Sequence, residues 1–327
     1  MTSAPQATAE SKHALRPASA SSQRAKATAA PSQKYRRETS AQARAGWGML
    51  APAGILMLLF LVVPIVLTFI LAFTDARLIS PRPMQFIGLE NFARLFGTEV
   101  FWASLRNTLI FALVIVPGQS GLALIMALLV NKKFPGLNFF RTVFFLPMVT
   151  SMVVVSMLWL FMYQPDGLLN ALLAKVGISG PDWLGDPSWA LFAIIVMSAW
   201  QAAGMHMIIW LSGLQTIPGE LYEAASLDGA STWQQFKHVT WPGLRQTRTF
   251  ILITITIAAF SLFTQINIMT KGGPLDSTST VVYQAVRTGY DQQQTGYAAA
   301  ISLVFFVLVL AVNLVQRYLT RDKEARA

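Results

Sequence analysis

Residues 187–215 read PSWALFAIIVMSAWQAAGMHMIIWLSGLQ, a run that contains no Asp, Glu, Lys or Arg. A helix needs about 20 mostly apolar residues to cross the hydrocarbon core of a bilayer, and this run is longer than that. A transmembrane β-strand is only about ten residues long and alternates lipid-facing with lumen-facing side chains, a pattern that this run lacks. The run therefore predicts a membrane-spanning helix.

Five other runs are also uncharged and long enough to cross a bilayer. They are residues 49–73, 107–130, 142–163, 249–270 and 295–316. Over its 327 residues the chain is 54% hydrophobic and 12% charged, whereas soluble domains carry about 25% charged residues. The sequence therefore predicts an all-α polytopic membrane protein with six transmembrane helices. Cysteine is absent, which excludes disulfides and thiol ligands.

Positive charge is distributed unevenly among the segments that connect these runs. The two tails together with the second and fourth loops hold 18 of the 25 Lys and Arg residues. Because Lys and Arg collect on the cytoplasmic side of a membrane, both termini are predicted to be cytoplasmic. This bias and attraction to anionic lipid explain the net charge of +10 without a nucleic-acid partner.

Residues 1–46 differ from the rest of the chain in composition. They are rich in Ala, Ser, Thr, Gln and basic residues, with almost nothing large and apolar to bury, so we expect a disordered cytoplasmic tail. The first apolar run is too long for a signal-peptide core and is predicted to be a retained span. The expected organisation is this tail, a transmembrane domain at 47–320 and a short cytoplasmic tail at 321–327.

The segment between the fourth and fifth runs is a charged insert with aromatic residues. Residues 220–242 read ELYEAASLDGASTWQQFKHVTWP. The stretch 220–228 contains good helix formers, and Gly229 is expected either to end that helix or to let another backbone approach closely.

A second short helix is predicted to follow in the same insert. Ser231 and Gln234 have the spacing of a capping box, which marks a helix start. The helix would display Trp233 and Phe236 one turn apart and would stop at Pro242.

This insert resembles the EAA loop of the permease subunits of binding-protein-dependent ABC importers. The family pattern is Glu-Ala-Ala, three residues, Gly, nine residues, an aliphatic residue, one residue and Leu-Pro. It is matched by Glu223, Ala224, Ala225, Gly229, Val239 and Pro242, with Trp241 where Leu is usual. A motif that fixes several positions at set offsets is a specific signal.

Two further segments are similar to the carbohydrate branch of that family, the maltose- and glycerol-phosphate-type permeases. They are residues 86–92, Phe-Ile-Gly-Leu-Glu-Asn-Phe, and residues 271–274, Lys-Gly-Gly-Pro. Residues 86–92 and the aromatic pair Phe101-Trp102 are also expected to anchor the first external segment at the bilayer surface.

The resemblance implies a type I ABC importer permease fold, also called MetI-like, and a partner set. The partners would be a second homologous permease, two ATP-binding cassette subunits, an extracytoplasmic solute-binding protein and membrane lipid. It also implies that a coupling segment, residues 216–242, contains a helix that sits in a cleft of the ATP-hydrolysing subunit. The predicted coupling residues are Glu223, Ala224, Ala225, Asp228, Gly229, Trp233, Phe236, Val239 and Pro242.

The chain is not predicted to be an enzyme. Its sequence contains no Gly-x-x-x-x-Gly-Lys-Ser/Thr phosphate loop, so ATP and Mg²⁺ are expected on partner subunits. It has no His/Cys cluster with metal-ligand spacing and no evident nucleophile–base pair, so we expect no catalytic residue, metal site or cofactor on this chain. His206, alone within a span, is interpreted as a hydrogen-bonded residue of the bundle.

Polar and aromatic side chains on the fourth and fifth runs predict a pathway for a sugar. Amides and hydroxyls can bind sugar hydroxyls, while aromatic rings can cover the C–H surface. The alternative for each residue is that it joins neighbouring helices. The candidates are Ser198, Trp200, Gln201, Met205, Phe260, Ser261, Thr264, Gln265 and Asn267.

The predicted function is that of a permease subunit that forms half of the pathway of an ATP-driven importer for a di- or oligosaccharide. Glycerol phosphate or another small polar solute is the alternative cargo, and amino acids or polyamines fit less well. Two rival classes are an ATP-independent carrier or channel and a membrane assembly or signalling subunit. Because the six runs have no charged side chains, a proton- or ion-driven carrier is disfavoured.

Overall fold

A computed structural model describes residues 33–131 and 136–320 of the chain. In these residues the regular secondary structure is helical, and one isolated antiparallel bridge joins Thr74 and Phe86. The all-α prediction is therefore confirmed. The chain divides into two units, residues 1–61 and 62–327.

The first unit contains helix α1 (Gln33–Met57) and most of a π-helical turn, Leu58–Val62. Most of the tail predicted to be disordered, 1–46, lies outside the described residues, as does the predicted tail 321–327. From Gln33 onward the backbone of the first tail is helical, which differs from the prediction. Ala, Gln, Arg, Lys and Glu are frequent in this stretch, and these strong helix formers extend the helix of the apolar run.

The second unit contains fourteen helices within residues 62–131 and 136–320. They are α2 (Val63–Leu71), α3 (Glu90–Gly97), α4 (Glu99–Val130), α5 (Leu137–Val149), α6 (Met152–Met162), α7 (Leu168–Lys175), α8 (Pro187–Gln215), α9 (Gly219–Leu227), α10 (Thr232–Gln235), α11 (Trp241–Gly243), α12 (Arg245–Phe260), α13 (Thr264–Met269), α14 (Val281–Val286) and α15 (Thr295–Thr320). Two π-helical turns, Phe236–Thr240 and Arg287–Asp291, lie between them.

Five helical stretches of the described residues are long and apolar enough to cross a membrane, and a strongly bent pair of helices makes a sixth. In chain order we call them spans 1 to 6. They are Ala45–Leu71, Glu99–Val130, the pair Phe139–Val149 and Met152–Met162, Pro187–Gln215, Arg245–Met269, and Thr295–Tyr318. Each of them overlaps one of the six predicted runs.

Span 3 differs from the single helix predicted at 142–163. Its two halves, α5 and α6, are bent by 98°. Thr150 and Ser151 at the bend have extended backbones, with ψ of 141° and 135°. Pro147 lies within α5 one turn earlier, where it removes a backbone donor and weakens the end of that helix.

Span 5 is also interrupted, because α12 ends at Phe260 and α13 begins only at Thr264. Residues 261–263 form the break between them. The Thr280 hydroxyl donates a hydrogen bond of 2.9 Å to the Leu262 carbonyl oxygen, so the break gains a partner from outside its own helix.

Spans 2 and 4 form the centre of the second unit, where α4 packs along α8. The Trp210 indole nitrogen donates to the Ser120 carbonyl oxygen at 3.2 Å. On another side of α8, a side chain at Gly204 would collide with the Phe144 carbonyl group. Glycine at this position therefore lets α5 lie directly against α8.

Two hydrophobic cores lie along this central pair. We call the end of the bundle that carries residues 216–244 the near end, and the opposite end, where α8 begins at Pro187, the far end. The near-end core includes Trp210, Leu214, Leu244 and Ile251. The far-end core includes Trp159, Tyr163, Ile194, Phe260 and Ile266.

The segment before span 2 folds onto the far end. The Asn91 amide nitrogen donates to the carbonyl oxygens of Ala72 at 2.9 Å and Thr74 at 2.8 Å. Phe101 is buried in a cluster with Ile301 of span 6, whereas Phe86 and Trp102 are exposed. Only part of the predicted aromatic anchor is therefore free to reach lipid.

Candidate coupling segment and translocation face

The first helix of the coupling segment, α9, ends in a turn that requires glycine. Gly229 has a φ of +76°, in the left-handed region that costs other residues energy. The Ala230 amide donates to the Ala225 carbonyl oxygen at 2.9 Å, and the Gly229 amide donates to that of Ser226 at 3.1 Å. This hydrogen-bond pattern is a Schellman motif, so Gly229 ends the helix as predicted.

Gly229 also lies open to its surroundings. A Cβ atom built at this position would meet no described atom of the chain within 4 Å. Glycine is thus required by the backbone of the turn and not by another part of this chain.

The second half of the segment begins with the predicted capping box. The Ser231 hydroxyl accepts from the Gln234 amide at 3.4 Å, and the Gln234 side chain accepts from the Ser231 amide at 2.7 Å. The prediction that Pro242 stops the helix is wrong. Pro242 lies in the first turn of α11, where its missing N–H is tolerated, and the chain continues into α12.

Side-chain hydrogen bonds brace the two halves against each other. The Gln235 amide nitrogen donates to the Ser226 hydroxyl at 3.0 Å and to the Ala230 carbonyl oxygen at 3.3 Å. The hydroxyls of Tyr222 and Thr240 are hydrogen-bonded at 3.0 Å. Sequence reasoning missed these bracing residues, because nothing in their spacing shows that the two helices fold back on each other.

The aromatic residues of the segment form a stack. The Trp233 and Phe236 rings are nearly parallel, with centroids 5.5 Å apart, and the Phe236 and Trp241 centroids are 6.1 Å apart. The Arg248 guanidinium lies 4.5 Å from the centre of the Trp241 ring. Trp241, the residue that departs from the family pattern, therefore extends the stack from Phe236 to Arg248.

The two aromatic residues predicted to contact a partner differ in exposure. Phe236 is half-buried and packs against the near-end core, whereas Trp233 is 70% exposed. Leu227 is 89% exposed and Leu221 is 51% exposed. Leu227 and Leu221 were not among the predicted coupling residues, although two large apolar residues in a charged loop are a visible signal.

The remaining predicted coupling residues lie at the surface of the segment. Exposed among them are Glu223, Ala224, Asp228 and Pro242, while Ala225 and Val239 are half-buried. The free surface therefore consists of apolar side chains bordered by carboxylates.

The coupling segment is attached to both spans that it connects. Ile217 lies so close to Gly243 that a Cβ atom built there would be 2.9 Å from its side chain. Leu244 is fully buried and joins Leu214 in the near-end core. The segment is therefore packed directly against the ends of spans 4 and 5.

The candidate pathway residues separate into two groups. Ser198, Gln201 and Phe260 are buried inside this chain. Gln201 reaches the Pro147 carbonyl oxygen at 3.5 Å, and the Phe260 ring lies 6.1 Å from the Phe305 ring. Gln201 and Phe260 therefore join neighbouring helices, which is the alternative role named above for each candidate.

The other candidates are at least partly exposed. Trp200, Met205, Ser261 and Asn267 are exposed, and Thr264 and Gln265 are partly exposed. Ser261 lies in the break of span 5, and Thr264 and Asn267 lie in α13, which follows the break. We call these exposed candidates the translocation face, because polar groups at membrane depth favour a protein or water environment.

A buried polar network fixes the turn that follows span 5. The Asn107 amide nitrogen donates to the carbonyl oxygens of Asp276 at 2.7 Å and Ser279 at 3.1 Å. The Ser104 and Ser279 hydroxyls are hydrogen-bonded at 3.0 Å, and the Val281 amide donates to the Thr108 hydroxyl at 3.1 Å. Sequence reasoning missed this network, although Ser104, Asn107 and Thr108 share one side of a helix.

Tyr283 completes this network outside the membrane spans. Burial raises the pKa of its hydroxyl above the ordinary value. The hydroxyl donates to the Lys271 carbonyl oxygen at 2.8 Å.

His206 lies between spans 2 and 4. A hydrogen bond of 2.9 Å joins its Nδ1 atom to the Gln119 amide nitrogen. The interpretation of His206 as a hydrogen-bonded residue of the bundle is confirmed.

Known proteins with similar sequences share nearly the whole length of this chain. This chain is 37% identical to the lactose transport system permease protein of Rhizobium radiobacter over 287 residues, which are 85% of this chain and 95% of that protein. The trehalose/maltose transport system permease protein of Thermococcus litoralis is 34% identical over 284 residues, 86% of this chain and 94% of that protein.

The fold is similar to that of a chain in a bacterial ABC transporter involved in the import of the acidic polysaccharide alginate. The TM-score is 0.77 with 24% identity, over 88% of this chain and 99% of that chain. Residues 119–324 match the family described as binding-protein-dependent transport system inner membrane component. The region matched contains the coupling segment and spans 3 to 6, and this chain belongs to that family of transport components.

Proposed function

We propose that this chain forms one half of the transmembrane pathway of an ATP-driven importer for a di- or oligosaccharide. A second homologous permease would form the other half, and two ATP-binding cassette subunits would bind the ATP and Mg²⁺. An extracytoplasmic solute-binding protein would deliver the sugar at the far end, with both termini of this chain in the cytoplasm.

The observation that carries the proposal is the construction of the coupling segment. Its two halves are braced by Gln235 and Tyr222, and it presents Leu227 and Trp233 outward. Exposed apolar and aromatic side chains on a rigid support are typical anchors of protein interfaces. The segment can therefore seat in an ATP-hydrolysing subunit and move spans 4 and 5 as that subunit changes state.

A sugar is the proposed cargo because of the relatives and of the translocation face. The two relatives are named for lactose and for trehalose/maltose transport. Ser261, Thr264 and Asn267 offer hydroxyl and amide groups, and Trp200 offers an exposed aromatic ring. These are the groups that bind sugar hydroxyls and cover the C–H surface of a sugar ring.

Cross-linking tests the coupling role directly, because the chain has no native cysteine. A photoreactive label on Leu227→Cys in the assembled complex should form an adduct with the ATP-binding cassette subunit. The control is Leu275→Cys at the far end, which is 91% exposed and should form no such adduct. Adducts of Leu227→Cys with lipid alone would contradict the proposal.

Transport measurements test the cargo and the energy source. In proteoliposomes that contain the complete complex, uptake of labelled disaccharide should require both internal ATP and the solute-binding protein. Uptake without ATP would identify an ATP-independent carrier. Uptake of glycerol phosphate and not of sugars would support the importer assignment and contradict the proposed cargo.

A further inference from the structure

A short helix between spans 3 and 4, α7, carries a row of apolar side chains that faces away from the protein. Leu168, Leu172 and Val176 are spaced four residues apart, which places them on one side of the helix. They are 56%, 50% and 70% exposed, and Ile178 just beyond the helix is 54% exposed. We call these four residues the α7 stripe. A contiguous exposed apolar surface of this kind indicates a contact with another phase or molecule.

Leu169 and Asn170 fasten another side of α7 to the bundle, so the direction of the stripe is fixed. Leu169 packs against the far-end core. The Asn170 amide nitrogen donates to the carbonyl oxygens of Pro165 at 3.1 Å and Pro181 at 3.3 Å, and its oxygen accepts from the Trp183 indole at 2.7 Å.

The level of α7 relative to the spans follows from how tightly the chain turns. α6 ends at Met162, and a Cβ atom built on Gly167 would lie only 2.6 Å from the carbonyl oxygens of Phe161 and Met162. The first residue of α7 follows immediately, so this helix begins against the last turn of span 3. α7 therefore lies where the spans leave the hydrocarbon core.

Aromatic and basic side chains at the same level fit the boundary between lipid tails and headgroups. Trp189 and Phe192, at the start of span 4, are exposed and pack together with ring centroids 6.0 Å apart. Tryptophan collects at this boundary. Lys175 lies on the same side of α7 as the stripe, where its stem can cover apolar surface while its amino group reaches phosphates.

We propose that α7 is an interfacial helix whose stripe inserts into the headgroup region of the bilayer leaflet at the far end. The occupant is lipid, because Gly167 and the Trp183 indole hold α7 at the ends of spans 3 and 4, beside the exposed Trp189. The proposal rests on the proposed function only in that the chain spans a bilayer, and it holds whichever end is cytoplasmic. Such a helix would keep the outer ends of the two spans at a fixed depth.

Spin-label depth measurement tests this placement in the complete complex. Because the chain lacks cysteine, a nitroxide can be attached at Leu172→Cys alone. The matched control is Ala174→Cys, since Ala174 is exposed and lies two residues further along, on the other side of the helix. The complex would be placed in vesicles of phosphatidylcholine and phosphatidylglycerol.

The two labels should respond oppositely to relaxing agents. At residue 172, collisions with lipid-soluble oxygen should exceed collisions with a water-soluble nickel chelate, and at residue 174 the order should reverse. Equal exposure of both labels to the nickel chelate would overturn the proposal. Protection of residue 172 from both agents would assign the stripe to a partner subunit.

Addition of the solute-binding protein tests whether that protein, and not lipid, covers the stripe. Immobilisation of the label at residue 172 only when that protein is present would assign the stripe to protein docking and overturn the lipid assignment. Failure of ATP-dependent sugar uptake would leave the depth measurement unchanged, so the two proposals can fail independently.

Discussion

The two ends of span 5 are built in opposite ways. Before the span, the coupling segment presents Leu227 and Trp233 outward, and its bracing hydrogen bonds join residues that are close in sequence, such as Ser226 and Gln235. After the span, Thr278 and Ser279 are completely buried, and Asn107, from far along the chain, donates to the Ser279 carbonyl oxygen.

This difference indicates a division of labour between the two ends. A segment held together by its own local bonds can move as a rigid unit and leave its surface free for a partner. A turn whose polar groups are buried in its own bundle cannot move without breaking those bonds. Movement imposed at the near end would therefore be resisted at the far end, where Thr280 also holds the break at residues 261–263.

The largest effect is expected from Gly229→Trp. A residue other than glycine at a φ of +76° costs about 1–2 kcal/mol, and the large ring fills the open surface at the turn. We expect loss of ATP-dependent uptake in proteoliposomes while the complex still assembles in the membrane. Gly229→Asn is the control, because Asn tolerates the left-handed conformation, and it should retain uptake. Unchanged uptake by Gly229→Trp would show that this turn is not the point of coupling.

Two aromatic substitutions distinguish a residue of the free surface, Trp233, from a residue that packs against the core, Phe236. Trp233→Ala should weaken binding to the ATP-binding cassette subunit by about 30-fold, the effect of removing an interface anchor worth about 2 kcal/mol. The thermal midpoint of the isolated permease should stay the same.

Phe236→Ala provides the contrast to that substitution, because Phe236 packs against the near-end core. It should lower the thermal midpoint measurably. Equal effects of the two changes on subunit affinity and on thermal midpoint would refute the distinction between an outward and an inward ring.

A substitution at the far end should lower the thermal stability of the protein. Asn107→Leu removes the donor to the buried Ser279 carbonyl oxygen and leaves the Asp276 carbonyl oxygen with the Ser279 amide alone, and a buried unsatisfied group costs about 1–3 kcal/mol. We expect a thermal midpoint several degrees lower in detergent, with unchanged affinity for the ATP-binding cassette subunit. Asn267→Leu changes the same residue type at an exposed position and should leave the midpoint unchanged. A loss of affinity without loss of stability would reverse the roles of the two ends.

The smallest effect is expected on the translocation face between the ends. Asn267→Leu removes an exposed amide and should raise the KM for sugar uptake about fivefold, the value of one hydrogen bond worth about 1 kcal/mol. Ser198→Ala changes a buried hydroxyl and should leave the KM unchanged. A larger rise in KM for Ser198→Ala than for Asn267→Leu would place the path inside this chain's own bundle.

Much of the fold could be predicted from local sequence. Uninterrupted apolar length identifies a span because a bilayer has a fixed thickness, and all six predicted runs overlap spans of the structure. The capping box at Ser231 and Gln234 and the helix end at Gly229 were predicted because caps depend on only a few neighbouring residues.

Pro147 within span 3 indicates a kink, but the extent of that bend and the interruption of span 5 could not be read in the same way. Both runs remain uncharged across the bend at Thr150 and across the break at Ser261, and the break gains a hydrogen bond from Thr280, a residue outside its own helix. The prediction that Pro242 would stop the helix was wrong because proline ends a helix only where its position needs an N–H donor. Which end of a short helix a proline occupies depends on the surrounding fold.

The sequence by itself determined the class of the protein, a bundle of membrane-spanning helices with an EAA-like coupling segment, because span length, charge and caps are local properties. Only the tertiary structure decided which side chains are free. It turned Phe236 inward and Trp233 outward, buried Ser198 and Gln201, and exposed Ser261 and Asn267. The physical reason is that exposure depends on how helices from distant parts of the chain pack against one another, and no local pattern of residues records that packing.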